Sequence, residues 1–201
     1  ESDRRMVRDR ISRLGQSIED VKIHRKQQRS SRRKHPFPFV SIVGYTSAGK
    51  STLMNLLTGA EVLVDAMVFA TLDPTTRKID LPDGYSIFLT DTVGFIRNLP
   101  TNLVAAFRAT LEEATDADFI IHVVDVSHPN WEEQAASVLE TLDQLDAGEK
   151  PIVTVFNKID ALPDPTIVRE LVAHTPDSVA ISALKKVGIN DLMNRLKEMA
   201  Q

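Results

Sequence analysis

The stretch "FVSIVGYTSAGKST" (residues 39–52) decides the fold. Its first six residues form an apolar run that predicts a buried strand, and a helical pattern starts at about Lys50. Gly44–Ser51 matches G-x-x-x-x-G-K-[ST], in which a turn between strand and helix directs backbone N–H groups at phosphate oxygens. Lys50 is expected to reach the β- and γ-phosphates, and the Ser51 hydroxyl to bind Mg²⁺. The candidate phosphate-binding residues are Gly44, Tyr45, Thr46, Ser47, Ala48, Gly49, Lys50, Ser51 and Thr52.

Outward from this stretch, apolar runs alternate with amphipathic patterns. The predicted strands are "FVSIVG", two short strands around a turn at Pro82-Asp83-Gly84, "DFIIHVVDV", "KPIVTVFN" and "SVAIS". The predicted helices cover about 50–57, 103–114 and 130–145, a segment after Pro165, and "GINDLMNRLKEM". Such alternation predicts an α/β P-loop NTPase fold. We expect a mostly parallel six-stranded sheet with one antiparallel edge strand, helices on both faces, and a basic helical arm before it.

A second motif, Asp91-Thr92-Val93-Gly94-Phe95, contains the frame Asp-x-x-Gly. It begins at Asp91, the last residue of the predicted strand "SIFLTD". Asp91 is assigned to the magnesium site without a claim of direct ligation. The Gly94 N–H can approach a γ-phosphate closely because glycine has no side chain. Such a contact exists only with a triphosphate, so the segment is expected to act as a switch. Thr75, in "FATLDPTTRKID", is predicted to complete the metal site through its hydroxyl, with Thr76 as the alternative.

The next residue, Phe95, raises a question about catalysis. Many switches of this kind carry a glutamine there, which orients the attacking water. A phenylalanine has no hydrogen-bonding group, so the water must be positioned by other groups. The predicted catalytic residues are therefore Lys50, Thr75 and Gly94, and the intrinsic turnover is expected to be slow.

The third motif, Asn157-Lys158-Ile159-Asp160, ends the strand "KPIVTVFN" and has the frame N-K-x-D. The Asp160 carboxylate can accept the two donors on one edge of guanine, and adenine offers no such pair. Asn157 is expected to brace the loops and the base edge, and the stem of Lys158 to lie along the ring. After the last strand, "ISAL" adds Ser182, Ala183 and Leu184, with Ser182 and the Ala183 N–H expected near the guanine O6.

Charge divides the chain into two predicted segments, a basic helical arm (1–35) and a GTP-binding domain (36–201). Residues 1–35 hold 12 of the 24 Lys and Arg and 5 of the 28 Asp and Glu, so they carry +7 and the remainder −11. The chain has no cysteine, which excludes disulfides and thiolate metal sites. It begins with Glu1, from which we expect a piece of a longer protein.

The arm carries apolar residues at spacings of 4, 3, 4 and 3, typical of a coiled coil, and these residues are Val7, Ile11, Leu14, Ile18 and Val21. We expect a partner helix in a missing N-terminal part. The basic tail that follows, "HRKQQRSSRRKH", is equally compatible with a solvated surface and with a nucleic-acid contact.

Taken together, the motifs resemble those of HflX-family GTPases of the translation-factor-like class. The segments that carry the resemblance are "GYTSAGKSTLMNLLTG", "FATLDPTTR", "DTVGFIRNLP", "AFRATLEEATDADFIIHVVD" and "NKID", and it extends over residues 1–201. It implies a GTPase that binds GTP and GDP and is cytoplasmic and bacterial-type, with an organellar stroma or matrix as the alternative location. It also implies association with the large ribosomal subunit in the rescue or splitting of stalled ribosomes, and a separate N-terminal domain.

One position departs from the family pattern, which usually has Asn where this chain has Ser47. In related GTPases that lack the switch glutamine, that asparagine helps to bind K⁺ beside the phosphates. Serine has a shorter reach, so K⁺ activation is in question while Mg²⁺ is expected. The alternative function is a nucleotide-gated RNA- or ribosome-binding module in which hydrolysis is secondary. A third hypothesis is that the arm serves only as a coiled-coil spacer.

Overall fold

The computed structural model describes residues 36–59, 76–92, 94, 114–164 and 166–201. Contacts divide the chain into two units, Glu1–Pro36 and Phe37–Gln201. The arm and its coiled-coil pattern lie outside the described residues, so the predicted boundary between residues 35 and 36 stays a prediction. The helices and strands of the described residues all lie in the second unit.

Six strands form one sheet in the order β2-β3-β1-β4-β5-β6. The strands are β1 (Phe39–Gly44), β2 (Thr76–Asp80), β3 (Ser86–Asp91), β4 (Phe119–Asp125), β5 (Ile152–Asn157) and β6 (Ser178–Ala180). The edge strand β2 is antiparallel to β3, and all other neighbouring pairs are parallel. The predicted mixed sheet with one antiparallel edge strand is therefore confirmed.

The described helices are α1 (Lys50–Thr58), α2 (Trp131–Gln144), α3 (Thr166–His174) and α4 (Ile189–Met199). Buried leucines of α1 and α4, Leu53 and Leu192, join one core cluster with Ile42 of β1. Val138 of α2 packs in a second cluster with Val43, the next residue of the same strand. Successive residues of a strand point to opposite faces, so helices cover both faces of the sheet. The predicted layers are confirmed.

Within the residues that the structure describes, differences from the sequence prediction are confined to element ends and turns. The last strand is shorter than "SVAIS", because it keeps only Ser178–Ala180. The predicted turn at Pro82–Gly84 is a short 3₁₀ segment, and a second such segment, Ile159–Ala161, was not predicted. Most of the helix predicted at about 103–114 lies outside the described residues. Within the described ranges, no helix is both long enough and apolar enough to cross a membrane.

Candidate nucleotide site

The three predicted motifs lie where parallel strands end at their carboxyl edge. Gly44 ends β1, Asp91 ends β3 and Asn157 ends β5. Since β1 lies between β3 and β4, and β5 borders β4, these ends meet along one edge of the sheet. Open α/β sheets bind ligands in the crevice outside this edge.

The turn between β1 and α1 contains two positions that only glycine fits. A Cβ on Gly44 would lie 2.3 Å from the carbonyl oxygen of Val123, so the turn starts in close contact with β4. Gly49 has φ +98°, and a Cβ there would lie 2.3 Å from Nδ2 of Asn157. The two motif glycines therefore hold this phosphate loop (residues 44–51) against two neighbouring strands.

Lys50 starts α1 with its side chain folded back into the loop. Its ammonium donates to the carbonyl oxygens of Gly44 at 3.1 Å and Tyr45 at 2.8 Å. Burial lowers the pKa of Lys50 to about 8, although the nearby carboxylate of Asp91 opposes that shift. A cationic donor is thus held in a poorly hydrated turn, where it favours an anion beside it.

Ser51 and Asp91 bring two oxygens together at the start of α1. The Ser51 hydroxyl donates to Oδ2 of Asp91 at 3.1 Å, and Asp91 is only 3% exposed. The next residue, Thr92, donates its hydroxyl to the Ile42 carbonyl at 2.5 Å and so fixes the chain as it leaves β3. Hydroxyl and carboxylate oxygens are the ligands that Mg²⁺ prefers, so this pair fits that ion.

Metal sites built from protein side chains alone are not found in the described ranges, where no three or more His, Cys, Asp or Glu residues cluster suitably.

Gly94 lies against the phosphate loop. A Cβ on Gly94 would be 2.9 Å from Nζ of Lys50 and 3.0 Å from Cγ2 of Thr46. A larger residue would therefore push on the lysine that is predicted to meet the phosphates. The other switch residues that the sequence singles out, Thr75 and Phe95, lie outside the described residues.

Asn157 ties the phosphate loop to the predicted base loops. Its Nδ2 donates to the Ala48 carbonyl at 2.8 Å, and its Oδ1 accepts the Ala183 N–H at 3.0 Å. The side chain is 2% exposed, so both bonds are shielded from water. One amide therefore links loops from three strand ends. In this structure the Ala183 N–H, expected near the guanine O6, has an acceptor inside the protein.

The residues after Asn157 turn outward. Lys158 has a left-handed conformation with φ 65° and begins the 3₁₀ segment Ile159–Ala161. This turn leaves Asp160 exposed to solvent while Asn157 stays buried. Asp160 is therefore accessible to a ligand at the carboxyl edge of β5.

The loop after β6 is held by backbone and hydroxyl contacts. Ser182 and Val187 exchange two N–H···O bonds of 3.1 Å, and the Ser182 hydroxyl accepts the Lys185 N–H at 3.0 Å. At its tip, Leu184 is 72% exposed. This arrangement presents Leu184 as an apolar surface next to the loop that carries Asp160.

Sequence reasoning missed Asp125, which ends β4. Its Oδ2 accepts a bond of 2.6 Å from the ammonium of Lys158. Its Oδ1 accepts the N–H of Ser127 at 3.0 Å and the hydroxyl of Ser127 at 2.5 Å. An aspartate at the end of an apolar run was visible in "FIIHVVD", but its lysine partner is 33 residues away.

Comparison with known proteins agrees with this geometry. The family described as 50S ribosome-binding GTPase matches residues 39–158. The GTPase HflX of Lacrimispora saccharolytica is 50% identical over 197 residues, which is 98% of this chain and 46% of that protein. The GTPase HflX of Magnetococcus marinus is 49% identical over 98% of this chain and 45% of that protein. The chain therefore spans less than half the length of these curated relatives.

Among solved structures, a GTP-binding protein from Sulfolobus solfataricus in complex with GDP is similar. It superposes with a TM-score of 0.70 and 31% identity over 96% of this chain and 58% of that one.

Proposed function

This chain belongs to the family of 50S ribosome-binding GTPases, and from that premise we propose that it is a magnesium-dependent switch that binds GTP and hydrolyses it slowly. The resemblance to HflX GTPases is confirmed over 98% of the chain. One observation carries the proposal: Asn157 joins a phosphate loop containing a buried lysine to a loop that exposes Asp160.

The phosphate loop supplies the positive charge. The turn of residues 44–51 and the N-terminus of α1 present N–H groups to the nucleotide phosphates. Lys50, now bonded to two carbonyl oxygens, exchanges them for phosphate oxygens when the nucleotide binds. The phosphates would raise its pKa again, because a nearby anion favours the charged amine.

The Ser51 hydroxyl and the predicted hydroxyl of Thr75 would hold Mg²⁺, with Asp91 close by, and the ion would supply positive charge against the β- and γ-phosphates. The present Ser51–Asp91 hydrogen bond places both oxygens next to Lys50. Gly94 then offers its N–H to the γ-phosphate, which distinguishes GTP from GDP. The close approach of Gly94 to Lys50 supports this role.

Guanine selectivity comes from Asp160, whose carboxylate accepts N1–H and the 2-amino group. Lys158 lies along one face of the ring, and the loop of Ser182, Ala183 and Leu184 borders the base. Because Asn157 fixes both loops to the phosphate loop, base recognition and phosphate binding share one rigid frame.

Hydrolysis by the isolated chain is slow because Phe95 cannot orient water. The missing groups come from the partner, the large ribosomal subunit, and such groups supplied in trans raise rates by about 10³–10⁵ in other GTPases. Ser47 is exposed and has φ 62°, and it replaces the asparagine whose side chain assists K⁺ in related GTPases. K⁺ stimulation is therefore weak or lacking here.

The arm of residues 1–35 contacts ribosomal RNA through its basic residues, since it carries +7 while the rest of the chain carries −11. An acidic domain is repelled by RNA, so the arm supplies the attraction. We assign the protein to the bacterial cytoplasm, where the ribosomes are.

The test is phosphate release from GTP with and without large ribosomal subunits, each in Na⁺ and in K⁺. We expect slow turnover alone, strong stimulation by subunits and little difference between the cations. Fast turnover without subunits would refute the role assigned to Phe95. Equal subunit binding in the GTP and GDP states would refute the switch, and nucleotide-gated binding without stimulated turnover would favour the binding-module alternative.

A further inference from the structure

We propose that Asp125 is a positioning residue for guanine nucleotides, because it holds the ammonium of Lys158 so that the lysine stem forms one wall of the base slot. The inference rests on the proposed function, since it assigns a device within the same site. Its basis is three hydrogen bonds that hold this carboxylate by both of its oxygens.

The Asp125 carboxylate is held before any nucleotide arrives. Ser127 donates two hydrogen bonds to Oδ1, which leaves Oδ2 directed at Lys158 at 2.6 Å. The Asp125 side chain is 12% exposed and that of Lys158 36%. The carboxylate is thus the better shielded partner, and a charge-assisted bond of this length is among the stronger kinds.

The topology determines where the lysine stem runs. Asp125 and Asn157 are register partners at the carboxyl ends of β4 and β5. In the sheet order, β4 lies between β1, which leads into the phosphate loop, and β5, which leads into the base loop. The Lys158 side chain therefore leaves β5 and runs toward β4, across the edge that a bound nucleotide must span.

A tethered stem favours binding in two ways. A lysine side chain loses rotamer entropy when it is fixed, and Asp125 restricts it before the nucleotide binds. The bond also directs the ammonium to the side, so the methylene groups face the ring. Loss of Asp125 should weaken the binding of every ligand that contains the base, while the phosphate loop stays intact.

The experiment measures the Kd of GDP with Mg²⁺ for the 201-residue chain and three variants. Asp125→Asn should bind GDP about tenfold more weakly, as expected when one hydrogen bond between charged groups is lost. Lys158→Met should also weaken binding. The double variant should match Lys158→Met alone, since Asp125 acts through that lysine.

Asp164 provides a matched control, because it accepts the N–H and the hydroxyl of Thr166, both at 2.8 Å, in the same local arrangement as Asp125 and Ser127. Asp164→Asn should leave the Kd of GDP unchanged. If Asp125→Asn does not fold, Ser127→Ala replaces it, with a loss of about threefold expected because the carboxylate keeps its charge and its backbone N–H donor but loses the hydroxyl donor.

The outcomes separate the inference from the proposed function. An unchanged Kd for Asp125→Asn, or the same loss in the Lys158→Met background as in the wild type, would overturn the positioning role while GDP binding stands. Failure of the unmodified chain to bind GDP would instead overturn the proposed function. A tenfold loss that disappears in the Lys158→Met background would support the role of Asp125.

Discussion

Acidification should destabilise this domain through one imidazole in the middle of the sheet. His122 lies in β4 between Val43 of β1 and Thr154 of β5 and is 1% exposed. Neither ring nitrogen has a hydrogen-bond partner among the described residues. Burial, with a smaller contribution from the charge of Lys50, lowers the pKa of His122 from 6.5 to about 4.

The sign of the effect is set by this lowered pKa. The unfolded chain takes up the proton at its ordinary pKa near 6.5, whereas the folded chain resists until about 4. Stability from the neutral imidazole is therefore complete above 6.5 and is lost as the pH falls toward 4. With 1.36 kcal/mol per pKa unit, the loss is about 2 kcal/mol at about pH 5 and about 3 kcal/mol at about pH 4.

The assay is urea unfolding at about pH 7.5 and about pH 5 for the unmodified chain and for His122→Leu, which keeps a similar side-chain volume. Carboxylates titrate in both proteins, so the difference between their pH responses isolates the imidazole. We expect the variant to lose about 2 kcal/mol less than the unmodified chain over this range.

His174→Gln is the control, because His174 is exposed at the end of α3. It should respond to pH as the unmodified chain does. Equal pH responses for His122→Leu and the unmodified chain would refute the reasoning, since they would mean that His122 titrates alike in both states.

Three further predictions concern the phosphate loop. Gly49→Ala should lower the free energy of unfolding by about 2–3 kcal/mol and abolish GDP binding, because the added Cβ would strike Asn157. Gly84→Ala is the control, because Gly84 has a similar φ but open space around it. An equally large loss for Gly84→Ala in urea unfolding would contradict the steric argument. GDP binding at about pH 8.5 should take up about three-quarters of a proton, since the pKa of Lys50 rises from about 8 on binding. Calorimetry in buffers of different ionisation enthalpy measures this proton uptake. Equal proton uptake by Lys50→Met would disprove the assignment to Lys50. Ser47→Asn should make GTP turnover faster in K⁺ than in Na⁺, because Asn tolerates the φ of 62° and adds a carbonyl oxygen. Identical turnover rates of this variant in the two salts would count against a cation site beside the phosphates.

Most of the fold could be predicted because buried parallel strands have a simple signature. Runs such as "FIIHVVD" are apolar throughout, since helices cover both faces of the sheet. The hairpin was predicted from its Pro-Asp-Gly turn, and the helices from their period. The 3₁₀ segment Ile159–Ala161 was not predicted, because it depends on a lysine in a left-handed conformation.

The candidate site was predictable where one motif is contiguous in sequence, and less so where partners come from different strands. Gly44–Ser51 specifies its own turn. By contrast, the bond from Lys158 to Asp125 depends on the register of β4 against β5, which the sequence does not encode locally. The bond from Asn157 to Ala48 joins residues 109 positions apart and likewise required the assembled sheet.

The role proposed for Asp160 is to select guanine at a site that the phosphate loop completes. The most direct measurement is competition between GTP and xanthosine triphosphate for the unmodified chain and for Asp160→Asn. We expect the substitution to weaken the binding of GTP and to strengthen the binding of the xanthosine nucleotide, because an amide can donate to the 2-oxo group that a carboxylate repels. An unchanged preference for GTP would contradict it.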